Sequence, residues 1–570
     1  MCGIFLLLNS DMLNTTEINT EFMKGQKRGP EYSKLETNYL KMSLGFHRLA
    51  INGLNEESNQ PLIFNDVILI CNGEIYNYKP LYEDMNIKPI TGSDCEVIIH
   101  LYIKYGIEQT LCMLDGVFSF VLFDNRLTED LNNKIYIARD PYGVRPLYFF
   151  KNTYLNVYGF ASELKCLENM YNITIIDSVI DQYLPGTYSI FNISNKVNAI
   201  WEPVKENICY FTPSFSHSLL IDTAFESKYI SDMYKLIPCY LKSAVNKRCI
   251  TTERPIACLL SGGLDSSLIA ALVNNYYKTY DIKKTIETYS IGLEGSEDLK
   301  YAKIVADYLG TNHTEIIVTE KEMVDAIPEV IYSIESYDTT TVRASIGNYL
   351  LGKYIKKNSD AKVIFNGDGS DELFGGYLYM NKCPDDIEFD KETRRLLKDI
   401  YLFDVLRSDK SISSNGLEPR TPFLDKSFVN YVLSIPAFFR NHKNKPATCE
   451  KYILRHSFNK TNFQDWRGLE ILPDEILWRK KEAFSDGVSS QGNSLYKILQ
   501  SRIALKLNIG LKNTSKKYEA NIETEKYYYK NIFEQMFPNC THILPYFWMP
   551  KYTNSKDPSA RTLTFYENDK

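Results

Sequence analysis

The chain has 570 residues, with 65 Lys and Arg against 71 Asp and Glu and a formal net charge of −6. That length exceeds what one hydrophobic core supports and implies two large domains or several small ones. The interspersed charges offer no basic field for nucleic acid or a membrane surface. With no apolar run of ~18 residues and no basic-flanked leader, the chain reads as soluble and cytoplasmic. Its twelve cysteines show no C-x-x-C spacing, which argues against a disulfide framework or a zinc site.

In chain order, the first motif is Met1-Cys2-Gly3-Ile4. Removal of Met1 would leave a cysteine carrying both a thiol and a free α-amine, and an amine titrating near ~7.7–8 is a base able to activate that thiol. The plainer reading of Cys2 is a small buried hydrophobe at the start of an apolar strand. Strands are predicted at Cys2–Leu8, Met42–Ala50, Val67–Cys71, Phe118–Phe123, Ile135–Arg139, Leu147–Phe150 and Tyr158–Ala161, punctuated by Gly, Asn and Pro. A helix from about Asp94 to Tyr105 presents Val97, Ile98, Leu101, Tyr102 and Tyr105 on one face, and Ser93-x-x-Glu96 has the spacing of a capping box. Stacked antiparallel sheets flanked by helices are expected. The polar and aromatic stretch from Asn195 to Ser227, with Pro203 and Pro213, suits an interdomain linker.

Beyond it the pattern changes. Apolar strands Ile256–Leu260, Thr288–Gly292, Glu315–Val318 and Val363–Phe365 alternate with helical stretches such as Ser266–Tyr277 and Leu299–Leu309, the signature of a parallel sheet covered on both faces. From about Asp385 onward the chain reads mainly as helix. Directly after the strand Ile256–Leu260 comes Ser261-Gly262-Gly263-Leu264-Asp265-Ser266-Ser267, a small-residue turn opening a helix, where backbone N–H groups and the helix dipole receive phosphate. No Gly-Lys-Ser/Thr follows, which excludes the Walker loop. The turn resembles the pyrophosphate-binding loop of ATP-pyrophosphatases, and by that resemblance Asp265 is a Mg²⁺ ligand candidate. Asn366-Gly367-Asp368-Gly369-Ser370-Asp371-Glu372 follows the strand Val363–Phe365, and its carboxylates suit Mg²⁺ and phosphate better than a core.

Taken in order, the blocks His47-Arg48-Leu49, Cys71-Asn72-Gly73-Glu74, Gly92-Ser93-Asp94-Cys95-Glu96, Ala138-Arg139-Asp140-Pro141, Ser261–Ser267, Thr340-Thr341-Val342-Arg343, Leu417-Glu418-Pro419-Arg420-Thr421 and Arg479-Lys480-Lys481-Glu482 resemble class B, glutamine-hydrolysing asparagine synthetases over nearly the whole chain. The resemblance implies an α/β multidomain fold. A four-layer αββα Ntn-hydrolase-type glutaminase domain would span 1–200, a linker 201–227, and a doubly wound, Rossmann-like ATP-pyrophosphatase domain with a helical C-terminal part 228–570.

By the same resemblance Cys2 attacks the glutamine amide, Asn72 and Gly73 form the oxyanion hole, and Arg48, Leu49, Glu74 and Asp94 hold glutamine. Leu260, Ser261, Gly262, Gly263, Asp265, Ser266, Ile291, Asn366 and Gly367 bind ATP, and Asp265 and Asp371 bind Mg²⁺. Lys481 and Arg343 neutralise charge as the aspartate β-carboxylate attacks the α-phosphorus. Asp368, where the best-studied form has Glu, is the base for the incoming ammonia, which travels an apolar passage between the domains. The implied substrates are L-glutamine, L-aspartate and ATP, the implied assembly a homodimer. The competing reading is a related amidotransferase acting on another carboxylate through an acyl-adenylate; retention of Cys2 and of an acid at position 368 weighs against the β-lactam-forming relatives.

Overall fold

The computed structural model describes residues 1–126, 132–173, 176–194, 199–213, 226–445, 449–490, 494–510 and 517–563. In chain order the strands are β1 (Gly3–Leu8), β2 (Tyr32–Tyr39), β3 (Met42–Arg48), β4 (Leu62–Phe64), β5 (Val67–Ile75), β6 (Gly116–Asp124), β7 (Asn132–Arg139), β8 (Tyr148–Asn152), β9 (Val157–Ala161), β10 (Ser178–Gln182), β11 (Thr187–Ser194), β12 (Glu202–Cys209), β13 (Ile256–Leu259), β14 (Glu287–Gly292), β15 (Asn312–Ile317), β16 (Val363–Phe365) and β17 (Glu418–Arg420). The first twelve form two antiparallel sheets, ordered β10-β8-β9-β1-β3-β2 and β12-β11-β7-β6-β5-β4.

Strand β1 shows why these sheets stack. Successive side chains alternate between faces. Ile4, Leu6 and Leu8 share a core with Val121, Phe123, Ile135 and Ile137 of the second sheet. Phe5 and Leu7 join Ile18 and Phe22 of the helix Thr15–Met23. On the far face of the second sheet, Leu69, Cys71, Phe118 and Phe120 cluster with residues of the helices Tyr78–Met85 and Val97–Met113. The expected αββα layering results. Cys2 stands one residue before β1, at the strand end that faces the second domain.

Two local expectations need correction. Ser93 accepts the Cys95 N–H at 3.3 Å, but Glu96 does not close a capping box. Its carboxylate instead accepts the N–H groups of Ile90 and Thr91 at 2.9 and 2.6 Å and bonds His100 at 2.9 Å, so a 3₁₀ turn, Asp94–Glu96, precedes the helix. The expected linker also begins too early. Residues 202–209 are β12, paired with β11 across register shifts. Its exposed Glu and Lys and its Pro203 are the hallmarks of a protected edge strand, and they masked it. Residues 195–198 and 214–225 of that stretch lie outside the described residues.

The last five strands form a parallel sheet ordered β15-β14-β13-β16-β17. The chain moves outward through β14 and β15, then crosses back to lay β16 on the other side of β13. Such a reversal separates the loops leaving adjacent strand ends and opens a crevice there. Those two loops are Ser261–Ser267 and Asn366–Glu372. Among the described residues no helix is long and apolar enough to cross a membrane.

The two domains meet through buried charge. Arg28 pairs with Glu163 at 2.8 Å and with Asp409 at 2.9 Å. Lys410 pairs with Glu335, which Lys165 reaches at 3.0 Å. Arg420 spans Glu418 at 2.9 Å and Glu74 at 3.2 Å. Breaking one partner of such a pair costs ~3–5 kcal/mol, although the intact pairs add little net stability.

Candidate active sites

The first site gathers at the ends of β1, β3 and β5. The Cys2 thiol donates to the Leu49 carbonyl at 3.8 Å, and the Cys2 backbone N–H donates to Asn72 Oδ1 at 3.2 Å. Burial pushes the thiol pKa up, opposed by the Met1 ammonium and the Leu49 bond. The Met1 ammonium is itself buried, 3.7 Å from Glu418, and burial lowers its pKa. With Met1 attached, the sulfur therefore stays a thiol, and the nitrogen nearest it is an amide. Asn72 Nδ2 reaches Ser162 Oγ at 3.5 Å. Gly73 is required by packing as well: a Cβ there would lie 2.6 Å from the Val117 carbonyl of the neighbouring strand.

Arg48 donates to Asn59 Oδ1 at 2.7 Å and to the carbonyls of Asn55, Asn52 and Gly53. All four acceptors are neutral, so its charge lacks an anion partner in these bonds, and burial lowers its pKa. Nearby sits the opposite imbalance. Asn52 Nδ2 donates to Glu74 at 2.8 Å and to Asp94 at 3.4 Å, while Asp94 also accepts the Ile75 N–H at 2.6 Å. Burial pushes Glu74 well above the carboxylate range, with Asp94 adding to it, and pushes Asp94 up to about 6. A cation held only by neutral acceptors, beside two carboxyls that share the single cation Arg420, is complementary to an amino-acid zwitterion.

Leu260, Ser261, Gly263, Asp265, Ser266, Ile291, Asn366, Gly367, Asp368, Asp371 and Lys481 line one cavity at the switch point. Ser266 Oγ accepts the Ser261 N–H at 3.1 Å and bonds Ser261 Oγ at 3.0 Å. The helix Leu264–Tyr280 starts at Gly263 with no side-chain cap, leaving first-turn N–H groups directed at the crevice. Leu260 and Ile291 are both core residues and cavity wall. Asn366 is held at both ends, its N–H on the Arg420 carbonyl at 3.1 Å and its amide on Ser408 Oγ at 2.6 Å.

Beneath the loop lies a four-charge cluster. Lys451 lies 2.5 Å from Asp265 and 2.6 Å from Asp371, and Lys481 lies 2.6 Å from Asp371 and 3.9 Å from Asp265. Burial alone would raise Asp371, yet the two lysines hold it well below the usual carboxylate range. Asp265 Oδ1 is buried with no hydrogen-bond partner. Asp368 sits on the same wall, 3.3 Å from Arg407, which pairs with Asp404 at 2.7 Å. Burial raises the Asp368 pKa, and Arg407 opposes the shift.

Two of the expected site residues do not line this cavity. Gly262 is not on the cavity wall; at φ +68° its Cα packs on the helix Glu297–Leu309, where a Cβ would come within 2.4 Å of Ala302 N. Arg343 also lies off the wall, because its guanidinium is saturated by Glu525 at 2.8 and 2.6 Å and by Asp557 at 2.8 and 2.9 Å. Sequence reasoning missed Asn52, Arg407, Arg420 and Lys451. Arg420 stood in a motif already singled out, but nothing local tells that its side chain enters the other domain; Lys451 precedes a short helix with no distinguishing neighbours.

Two sites of this kind, one for an amino acid beside a cysteine and one for a nucleotide at a parallel-sheet switch point, define a glutamine-dependent ligase. Residues 1–208 match the family model of the glutamine amidotransferase domain, and residues 239–388 and 381–560 match that of asparagine synthase. Proteins named asparagine synthetase [glutamine-hydrolyzing] from Cricetulus griseus and Homo sapiens are 41% and 40% identical over 577 residues, covering 100% of this chain and 99% of theirs. One from Gallus gallus is 42% identical over 578 residues with the same coverage. The chain belongs to the glutamine-hydrolysing asparagine synthetase family.

Proposed function

We propose that this chain makes L-asparagine from L-aspartate and ATP, using ammonia released from L-glutamine, through β-aspartyl-AMP with release of AMP and pyrophosphate. The observation that carries it is the Asp265–Asp371–Lys451–Lys481 cluster beneath an open helix N-terminus, in the same chain as the zwitterion-complementary pocket around Cys2.

In the first half-reaction, once Met1 has been removed, the Cys2 nitrogen is an amine that takes the thiol proton. The sulfur attacks the glutamine amide carbon. Asn72 Nδ2 and the Gly73 N–H stabilise the resulting oxyanion, a donor pair of which each member is typically worth ~3–4 kcal/mol. The C–N bond breaks to release ammonia with the proton returned by the amine, and water then hydrolyses the thioester to glutamate and the free thiol. Arg48 binds the α-carboxylate of glutamine, and Glu74 and Asp94 its ammonium; the main chain around Leu49 flanks the sulfur.

In the second half-reaction Ser261, Gly263, Ser266 and the helix N-terminus hold the phosphates, with Leu260, Ile291, Asn366 and Gly367 around the nucleoside. Asp265 and Asp371 would hold Mg²⁺, which supplies charge neutralisation at the phosphates when bound. Among the described residues no three His, Cys, Asp or Glu gather into a ready metal cluster. Phosphate oxygens and water would complete the coordination, as is usual for Mg²⁺. The orphaned Asp265 Oδ1 and the lysines now bridging the pair fit that reading. Lys481 neutralises the α-phosphate as the aspartate carboxylate attacks, a reaction that depends mainly on positioning and electrostatics. Asp368, buried with a raised pKa, takes a proton from ammonia at the acyl-adenylate. One apolar cluster runs from Leu49, Ile51, Val117 and Val144 to Cys258 and Leu260, which supports an apolar route for ammonia.

Domain limits at 1–200 and 228–570, adjusted so that β12 stays with the first domain, are part of the same reading. The homodimer comes from the family resemblance and the cytoplasmic location from the sequence reading; light scattering on the purified chain tests the former. The central experiment supplies glutamine, aspartate and Mg-ATP and measures products. Asparagine and pyrophosphate in equal amounts are expected. Pyrophosphate formed without aspartate would favour an amidotransferase of another carboxylate instead.

A further inference from the structure

Lys481 stands in a segment, residues 478–490, whose only regular structure is the single turn Phe484–Gly487. Arg479 ties the start of this segment to Asp298 at 3.1 Å, the Val488 carbonyl accepts the Leu293 N–H at 2.9 Å, and the far end of the chain holds the stretch between. Arg561 donates from Nε to Glu482 Oε1 at 2.7 Å and from Nη1 to the Ser490 carbonyl at 2.8 Å and the Ser494 hydroxyl at 3.2 Å. One guanidinium thus clamps both ends of the loop. Between them, Ser559 Oγ donates to Asp486 Oδ1 at 2.7 Å. The Arg561–Glu482 pair is largely shielded from solvent, with side chains 5% and 11% exposed. Glu482 adjoins Lys481 and lines the nucleotide cavity.

The clamp has its own anchor. Asp557 accepts the Ser559 N–H at 2.9 Å and the Gln500 amide at 2.8 Å, and its remaining capacity goes to Arg343. Arg343 lies on the helix Thr339–Asn358, whose first turn supplies Thr340 and Thr341 to the cavity wall. Arg343 therefore ties the C-terminal segment to the same helix that borders the site.

We propose that residues 557–561 are a positioning strap for the adenylation step: Arg561 and Ser559 hold the loop that presents Lys481 to Asp371 and Asp265, and Arg343 contributes by anchoring Asp557 rather than by touching phosphate. The inference rests on Lys481 acting at the phosphates, as read above. It makes Arg561, Ser559 and Arg343 positioning residues.

The test uses the full chain with ammonium chloride as nitrogen donor, so that Cys2 is bypassed, and measures aspartate-dependent pyrophosphate release. Glutamate formation from glutamine and the thermal midpoint are followed alongside. Arg561→Ala should cut kcat by about ten- to a hundredfold, the loss expected for one charge-assisted hydrogen bond, with the KM values for ATP and aspartate within about twofold. Arg561→Lys should recover part of kcat, and Arg561→Ala combined with Glu482→Gln should lose no more than Arg561→Ala alone. An unchanged kcat, a loss shared equally with glutamate formation and stability, or multiplicative effects of the two substitutions would each overturn the strap. Should Arg561→Ala fail to fold, Ser559→Ala decides: it removes one hydroxyl, and a kcat equal to that of the unaltered chain refutes the proposal. Lys481→Met separates the two readings, because pyrophosphate release that survives it discards the role of Lys481 itself.

Discussion

Arg420→Met isolates the part of the glutamine pocket that the second domain supplies. The guanidinium is fully buried, bonded to Glu418 at 2.9 Å, to the Thr251 carbonyl at 2.9 Å and to Glu74 at 3.2 Å. Methionine fills much of its volume but leaves Glu74 facing Asp94 without a cation. Arg420 is one of the groups that lowers the Glu74 pKa, so its loss raises that pKa further and leaves less of the carboxylate to meet an ammonium. The ammonium of glutamine then loses one charge-assisted partner, worth ~1.5–3 kcal/mol, or about ten- to a hundredfold in KM. Stability should fall by ~3–5 kcal/mol, because Glu74 loses its paired cation while Glu418 keeps only longer contacts such as that to Arg145 at 3.6 Å. The assay compares KM for glutamine in glutamate formation with KM for ammonium in asparagine formation, at a temperature where the variant is folded. Only the glutamine value should rise, and the acid limb of its pH profile should move to higher pH. A folded variant with unchanged KM for glutamine would refute this account of the pocket.

Other outcomes follow from the same geometry. Cys2→Ala should abolish glutamate release while synthesis from added ammonia continues; residual glutaminase in a chain of confirmed N-terminal mass would remove Cys2 as nucleophile. Asn72→Ala should lower glutaminase kcat by about a hundred- to a thousandfold, matching ~3–4 kcal/mol for one oxyanion donor. Asp94, pushed up to about 6 by burial, must be ionised to bind an ammonium, so kcat/KM for glutamine should fall below about pH 6. Because its folded pKa exceeds the unfolded ~3.9, the ligand-free protein should gain stability from this group as pH drops from 7 toward 4, and Asp94→Asn should flatten that gain in thermal melts. Asp368→Asn should still form pyrophosphate with aspartate present but yield less than one asparagine for each; a ratio that stays at one excludes Asp368 as the base.

What could be read from the sequence was local. Cys2, the Asn72-Gly73 pair and Ser261–Ser267 sit at strand ends, where apolar periodicity gives way abruptly to small and polar residues, and that transition survives in one dimension. The parallel sheet was legible for the same reason: β13, β14 and β16 are short apolar runs separated by helices. The long-range pairings were not. Arg343 looks like a free cation until Glu525 and Asp557, both far along the chain, are seen to saturate it. Glu96 has the right spacing for a capping box, but spacing carries no knowledge of Ile90, Thr91 and His100 competing for the same carboxylate. Strand β12 failed because an edge strand with Glu, Lys and Pro is written to look unlike a strand.

The charged seam between the domains has a consequence for assembly. Apolar faces adhere to many partners, whereas Arg28 with Asp409, Lys165 with Glu335, Lys410 with Glu163 and Arg420 with Glu74 meet across the seam in only one mutual alignment. Misdocked by a single residue, each would stay dehydrated after losing its partner across the seam, which penalises wrong arrangements more than it rewards the right one. The seam thus behaves as a lock on alignment more than as glue, and separately expressed halves would each remain well hydrated and recombine in a manner weakened by salt.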